Sequence, residues 1–242
     1  MVNRVENEGR LSRSEVIALL DAGKDLSRLN MAGASLNGLD LTAVRLAGAN
    51  LSDADLGGAN LFRAVMPGVD LTRASLVDAN LGLADLRQGR LERAVLRGAD
   101  LHGAMLLWAD MRSADARLAN LTGADMRGAR LSDTDFRRAI LSAANLGEAL
   151  MWGTNLEKAI LQEANLVGAD LSHARCAGAI FWDADLTEAN VQLVDFSDVD
   201  LRQTLITAEQ LGQAASLAGA RLPADRSLRG LFRGLGRRKK PH

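Results

Sequence analysis

Every fifth residue from Leu26 to Leu201 is a core-type residue, through 36 successive positions without an insertion. Twenty-five are Leu and five are Met; the other six are Ala116, Phe136, Cys176, Phe181, Val191 and Phe196. Ala stands two residues before 26 of these centres, and Asp or Asn stands one residue before 23 of them. The unit is Ala-(Asp/Asn)-Leu-X-X, as in Ala49-Asn50-Leu51-Ser52-Asp53. A period of five fits neither the 3.6 of a helix nor the 2 of a long strand. With the centre called i, the pair i−2 and i alternates as strand residues do, so each unit reads as a short extended step followed by a bend. The chain must coil so that i−2 and i point inward while i−1, i+1 and i+2 face outward, with backbone groups paired between successive coils.

These units resemble the pentapeptide-repeat family over about three quarters of the chain. The resemblance implies an all-β solenoid: a right-handed quadrilateral parallel β-helix with four units per coil. That means 20 residues per coil and about nine coils here, a rod of about 43 Å at roughly 4.8 Å per coil. Residue types recurring at that spacing agree: Ile140, Ile160 and Ile180 at i−1, and Arg97, Arg117 and Arg137 at i+1. Undersized Ala116 and Cys176 are each followed 20 residues later by an oversized centre, Phe136 and Phe196, as stacked layers filling one another's gaps would require.

A solenoid leaves an open core and unpaired edges at its ends, so caps are expected. Ser12-Arg13-Ser14-Glu15 has capping-box form and opens a helix through Val16, Ile17, Leu19 and Leu20 that stops at Gly23. Thr207-Ala208-Glu209-Gln210 repeats the logic for a helix through Leu211, Ala214 and Leu217, closed by Gly219, with residues 220–223 returning as one edge strand. The expected organisation is an N-terminal segment with its helix over 1–25, the β-helix over 26–206, the C-terminal helix and edge strand over 207–223, and a tail over 224–242. That tail is basic, with Arg226, Arg229, Arg233, Arg237, Arg238, Lys239 and Lys240 against the single acid Asp225. Its Leu228, Leu231, Phe232 and Leu235 follow helical spacing, but Gly230, Gly234 and Gly236 weaken such a helix, and a solvated flexible tail is the plainer expectation.

Composition narrows the function classes. The chain has 48% hydrophobic residues but only 3% aromatic and no Tyr, so Leu and Ala must fill a narrow core. Met1 to Arg10 is charged and lacks the apolar run of a leader, and no apolar stretch approaches the roughly 20 residues of a membrane span. One cysteine, Cys176, offers neither a disulfide framework nor a metal cluster, and a cytoplasmic location is expected. His102 and His173 fall on different walls without a positioned acid or nucleophile in the pattern, so no catalytic site, metal or cofactor is expected. The Asp residues at i−1 read as turn-stabilising groups rather than paired catalytic carboxylates.

More telling are apolar side chains at positions the pattern turns outward. Trp108, Trp152 and Trp182 occupy i+1 or i+2, with Met105 and Leu107 beside the first, Leu150 beside the second, and Ile160 and Ile180 near the third; Ile140 belongs to the same Ile series. Clustered aromatic and Ile residues on an outer surface suggest a protein interface, and packing against neighbouring wall residues or beneath the tail is the alternative. Arg97, Arg117, Arg137, Arg138 and Lys158 form a basic stripe suited to an acidic partner or nucleic acid, or simply a solvated face. Charge is uneven along the rod, with 14 basic and 13 acidic residues over 26–140 but three basic and ten acidic over 141–206.

The expected function is a non-enzymatic scaffold or adaptor that presents the walls of a rigid β-helix to an unidentified protein partner or to a second copy. The resemblance also implies an alternative, since some pentapeptide-repeat proteins mimic duplex DNA and bind gyrase or another type II topoisomerase. This chain departs from that pattern in its basic middle and in having no loops that interrupt the coil. A third reading has the tail (Arg229, Arg233, Arg237, Arg238, Lys239 and Lys240) tether the rod to an anionic membrane or nucleic acid.

Overall fold

The computed structural model describes residues 9–223, of which the repeat forms nearly the whole. From Asn30 to Asp185, each i−1 residue makes a parallel bridge to the i−1 residue 20 positions on, so one coil takes 20 residues. Four ladders result. The first runs from Asn30 to Asn190, the second from Ser35 to Asp195, the third from Asp40 to Asp200 and the fourth from Arg45 to Leu205. We call the outer surface along each ladder a wall; the third wall adjoins the second and the fourth.

The reason for the unit's composition lies in its backbone donors, taken over Leu51 to Asp55. Leu51 N–H donates to the Asp70 carbonyl at 2.7 Å and Asp53 N–H to that of Thr72 at 2.9 Å, both in the following coil. Ala54 N–H closes the turn on the Leu51 carbonyl at 3.1 Å, and Asp55 N–H reaches back to Ala34 at 2.9 Å. Only Ser52 N–H, at i+1, has no carbonyl to meet. It donates instead to the Asn50 Oδ1 at 3.0 Å. A carboxylate or amide one residue before the centre therefore satisfies the one amide that the coil leaves open.

The turn demands a left-handed residue at i+2, and every one of the 36 units supplies it, 24 of them with a non-glycine residue at φ between 53° and 62°. Left-handed backbone costs an ordinary residue roughly 1–2 kcal/mol. It persists here because it aims the i+2 N–H at the next coil. Offsetting this, each buried centre contributes about 1.5–3 kcal/mol. Leu, Met and Phe centres are essentially without solvent contact, and Phe181 meets Phe196 edge to face with centroids 6.0 Å apart. Thr134, Thr154 and Thr204 replace Ala at i−2 without cost to polar satisfaction, because each hydroxyl donates to a main-chain carbonyl. Burial pushes the Cys176 thiol well above its ordinary pKa, so it serves as a small apolar filler.

Helix α1 spans Arg13–Asp21, with Ser12 and Glu15 forming a reciprocal capping box. Val16 is fully buried against the core, and Arg13 Nη1 donates to the Ser35 and Asn37 carbonyls at 2.8 and 3.0 Å, fastening the helix over the first coil. Helix α2 spans Ala208–Gln213, capped by Thr207 and Gln210. It is shorter than its apolar spacing suggests. After Gln213 the chain resumes ladder pairing, Ser216 with Asp195 and Arg221 with Asp200, so two ladders gain a further rung where the sequence suggests one strand near 220–223. Pairing the open edges satisfies more backbone than another helical turn would. Gln210 Nε2 completes the cap by donating to the Leu186 and Ala189 carbonyls at 2.7 and 2.9 Å.

Candidate interaction surface

The outward apolar residues do not form one patch. Met105, Leu107 and Trp108 lie on the fourth wall, Leu150 and Trp152 on the first, and Ile140, Ile160, Ile180 and Trp182 on the third. Positions that differ by 5, 10 or 15 residues turn to different walls, whatever their closeness in sequence.

Trp108 is the most exposed of the three indoles and lies across Gly128, where a Cβ would come within 2.5 Å of its Cδ1. Beyond it a shallow groove of about 340 Å³ runs over Gly147 to Val167, bordered by Arg127 and Glu148. Trp152 stacks obliquely on His173, with centroids 5.7 Å apart, and Leu150 stands exposed beside it. The third wall differs in being continuous. Ile140, Ile160 and Ile180 bridge in register, and Trp182 follows at i+1 of the last. Because Ile has no oxygen to offer, the i+1 amides of Ser142, Gln162 and Trp182 have no acceptor among the described residues. The wall thus pairs an apolar strip with a row of open donors. Towards the start of the same wall the character is polar: Asn60 donates to Asp40 at 3.2 Å, Asn80 to Asn60 at 3.1 Å and Asn120 to Asp100 at 3.0 Å.

Arg97, Arg117, Arg137, Arg138 and Lys158 share the second wall and line a shallow depression of about 310 Å³ with Leu118 and Glu157. They are not five free cations. Arg117 is held bidentate by Asp115, with Nη2 to Oδ2 at 2.6 Å, and Arg137 by Asp135 at 2.7 Å. The same Asp-x-Arg fork joins Asp85 to Arg87, Asp110 to Arg112, Asp125 to Arg127 and Asp200 to Arg202. In each, the i−1 carboxylate caps its own turn and receives the guanidinium at i+1. The Arg side-chain hydrogen bonds hold the Asp85, Asp115, Asp125 and Asp200 carboxyls below the usual range. Burial pushes the Asp110 carboxyl up, but bonds from Arg112 outweigh it and leave it lowered. The signal, Asp two residues before Arg, is visible in the sequence, though a reading by charge alone passes over it.

His102 also has an acid beside it by this rule, Nδ1 lying 3.0 Å from the Asp100 Oδ2. No nucleophile joins them, and His102 instead lies over Gly82 towards Phe62. Leu83, Leu118 and Leu193 are further exposed apolar residues at i+2 that the outward-position test finds when applied to every unit. Among the described residues no cluster of His, Cys, Asp and Glu could hold a metal, and no helix is long and apolar enough to cross a membrane. The tail cations Arg229, Arg233, Arg237, Arg238, Lys239 and Lys240 lie outside the described residues.

Twenty-residue parallel coils built from five-residue units define a pentapeptide solenoid. The chain belongs to the pentapeptide-repeat family, whose model matches in eight copies between residues 25 and 203. Among solved structures it is similar to HetL, a pentapeptide repeat protein involved in heterocyst differentiation regulation from the cyanobacterium Nostoc sp. strain PCC 7120. The two are 29% identical over 88% of this chain and 95% of HetL, with a TM-score of 0.68. It is also similar to full-length QnrB1, a plasmid-mediated fluoroquinolone resistance protein, at 20% identity over 84% of this chain and 97% of QnrB1, with a TM-score of 0.53; that likeness speaks for the fold alone. Among curated proteins none matches the sequence.

Proposed function

We propose that this chain is a non-enzymatic interaction scaffold: a right-handed, four-sided β-helix of about nine coils whose third wall, over Ile140, Ile160, Ile180 and Trp182, receives a protein partner. The observation that carries this reading is the continuous strip of half-exposed Ile with its open amides, in a fold whose other i−1 positions are mostly given to Asp or Asn. A partner that lays apolar side chains on the strip and main-chain carbonyls on the amides of Ser142, Gln162 and Trp182 would satisfy both. The basic depression on the second wall is a secondary contact, since two of its five cations are already neutralised within their own turns.

Affinity capture from a host lysate tests it, comparing the wild type with Ile160→Asp/Trp182→Ala. Both positions face outward, so the β-rich circular dichroism spectrum is retained. Proteins held only by the wild type identify the partner; identical sets would defeat the reading. A topoisomerase-binding role has in its favour the acids of residues 139–188, and gyrase supercoiling assays with and without a quinolone decide it. Unaltered supercoiling and unaltered drug sensitivity at micromolar protein would remove that role.

A further inference from the structure

The third wall and the half of the coil that follows it have a one-sided chemistry. Residues 139–148, 159–168 and 179–188 stack on one another through the Ile140–Ile160–Ile180 and Asn145–Asn165–Asp185 bridges. Together they contain Glu148, Glu163, Asp183, Asp185 and Glu188, and no Lys, Arg or His. None of these five acids forms an ion pair among the described residues. An apolar strip is therefore bordered, along its edge with the fourth wall, by the uncompensated Glu163 and Asp183, with Asp185 on the fourth wall and Glu148 and Glu188 at that wall's far edge. Arg138 and Lys158 border its other edge.

The chain itself carries a segment of complementary chemistry. Residues 224–242 hold seven Arg and Lys against Asp225, interleaved with Leu228, Leu231, Phe232 and Leu235. The path of the chain delivers this segment to the right place. Arg221 bridges Asp200 and donates its N–H to the Val199 carbonyl at 2.8 Å, so the chain leaves from the top of the third ladder, two rungs beyond Ile180. Ile140 lies three coils below Asp200, about 14 Å away. Nineteen residues reach several times that distance when extended, about 60 Å. We propose that residues 224–242 dock on the third wall of their own chain, with Leu and Phe side chains on Ile140, Ile160, Ile180 and Trp182. Their cations lie along Glu163, Asp183 and Asp185, turned from Arg138 and Lys158 by like charge. The tail then occupies the surface that the scaffold reading gives to a partner, and a partner must displace it.

The inference shares that surface but needs no external partner, so an empty affinity capture leaves it standing and failed docking leaves the scaffold reading standing. The test uses the full chain with Trp108→Phe and Trp152→Phe, so that Trp182 alone fluoresces. A second form adds Arg229→Glu, Arg233→Glu, Arg237→Glu and Arg238→Glu. The reversed tail should red-shift Trp182 emission and raise its quenching by acrylamide. Added synthetic peptide of residues 224–242 should reverse both changes saturably, with affinity falling about tenfold or more as NaCl rises from about 0.05 to about 0.5 M. Ile160→Asp/Asp183→Lys should abolish the peptide's effect while the circular dichroism spectrum persists. Equal emission and quenching with either tail would overturn the proposal, as would peptide binding undiminished by the double change. Protection of Trp182 that vanishes on dilution places a second copy's tail on the wall and refutes docking within the chain. Uptake of the full chain by anionic vesicles as readily as the free peptide refutes it too, since a docked tail has its cations engaged.

Discussion

The coils between Asp85 and Arg138 and those between Ala139 and Val199 share one backbone and differ in what stands at i+1. In the first region five Asp-x-Arg forks neutralise the turn's own carboxylate, at Asp85, Asp110, Asp115, Asp125 and Asp135. In the second, no salt bridge occurs among the described residues. No Arg or Lys stands at i+1 there, and the acids stay available to cations from elsewhere. The difference teaches that the fold is insensitive to i+1. Residues i−2 and i build the core and i−1 caps the turn, while i+1 and i+2 are free to set charge and stickiness coil by coil.

The largest test of that equivalence is a charge in the core of each region. Leu121→Asp and Leu166→Asp replace fully buried centres. Each should cost more than about 4 kcal/mol and abolish a cooperative melting transition by circular dichroism. Tolerance of one but not the other would show that the two regions are not the same structure.

Acid separates the regions next. In the forks at Asp85, Asp115 and Asp125, hydrogen bonds from the neighbouring Arg lower the folded-state pKa. A lowered folded value means their stabilisation is present above the unfolded Asp pKa of about 3.9 and is lost as pH falls through the lower folded values. The urea midpoint should therefore drop between about pH 5 and about pH 2.5, and Asp85→Asn/Asp115→Asn/Asp125→Asn should drop less. A triple variant with the wild-type pH dependence would leave the forks without energetic weight.

Single forks give the smallest effect. Asp115→Asn keeps an Oδ1 for the Arg117 amide but loses the ion pair, at a cost of about 0.5–1 kcal/mol for a half-exposed group. Asp195→Asn, where Ser197 replaces Arg at i+1, should stay within about 0.5 kcal/mol. Asp195→Ala also removes the acceptor for the Ser197 amide and should cost about 1 kcal/mol. Equal losses for the two Asn variants would erase the distinction between neutralised and open turns.

Much of this molecule is legible from its chain because the unit is so short. The Leu centres, the Ala two residues before them and the Asp or Asn between are fixed by local demands: a narrow core, a tight bend and one amide without a carbonyl. Burial of Cys176 and the stacking of Phe136 and Phe196 beyond smaller centres follow from the same register. The surface is less legible. Trp108, Trp152 and Trp182 read as companions, yet stand on three walls, because a turn separates every five residues and proximity in sequence says little about a shared face. Arg117 and Arg137 read as part of a free basic stripe, yet each is paired with the Asp two residues before it, a contact created by the bend between them.

The sequence by itself determined the period, the inward and outward positions and the capping boxes at Ser12 and Thr207, all properties of a few adjacent residues. Only the tertiary structure decided which outward residues meet. It set Trp108 and Trp152 on walls apart from the Ile140, Ile160 and Ile180 series, and ended α2 at Gln213 in favour of two more ladder rungs. It also brought Arg221 to the top of the wall that the basic tail complements. Those outcomes depend on the 20-residue coil, which brings together side chains the chain holds far apart, and on open edges whose backbone groups need partners.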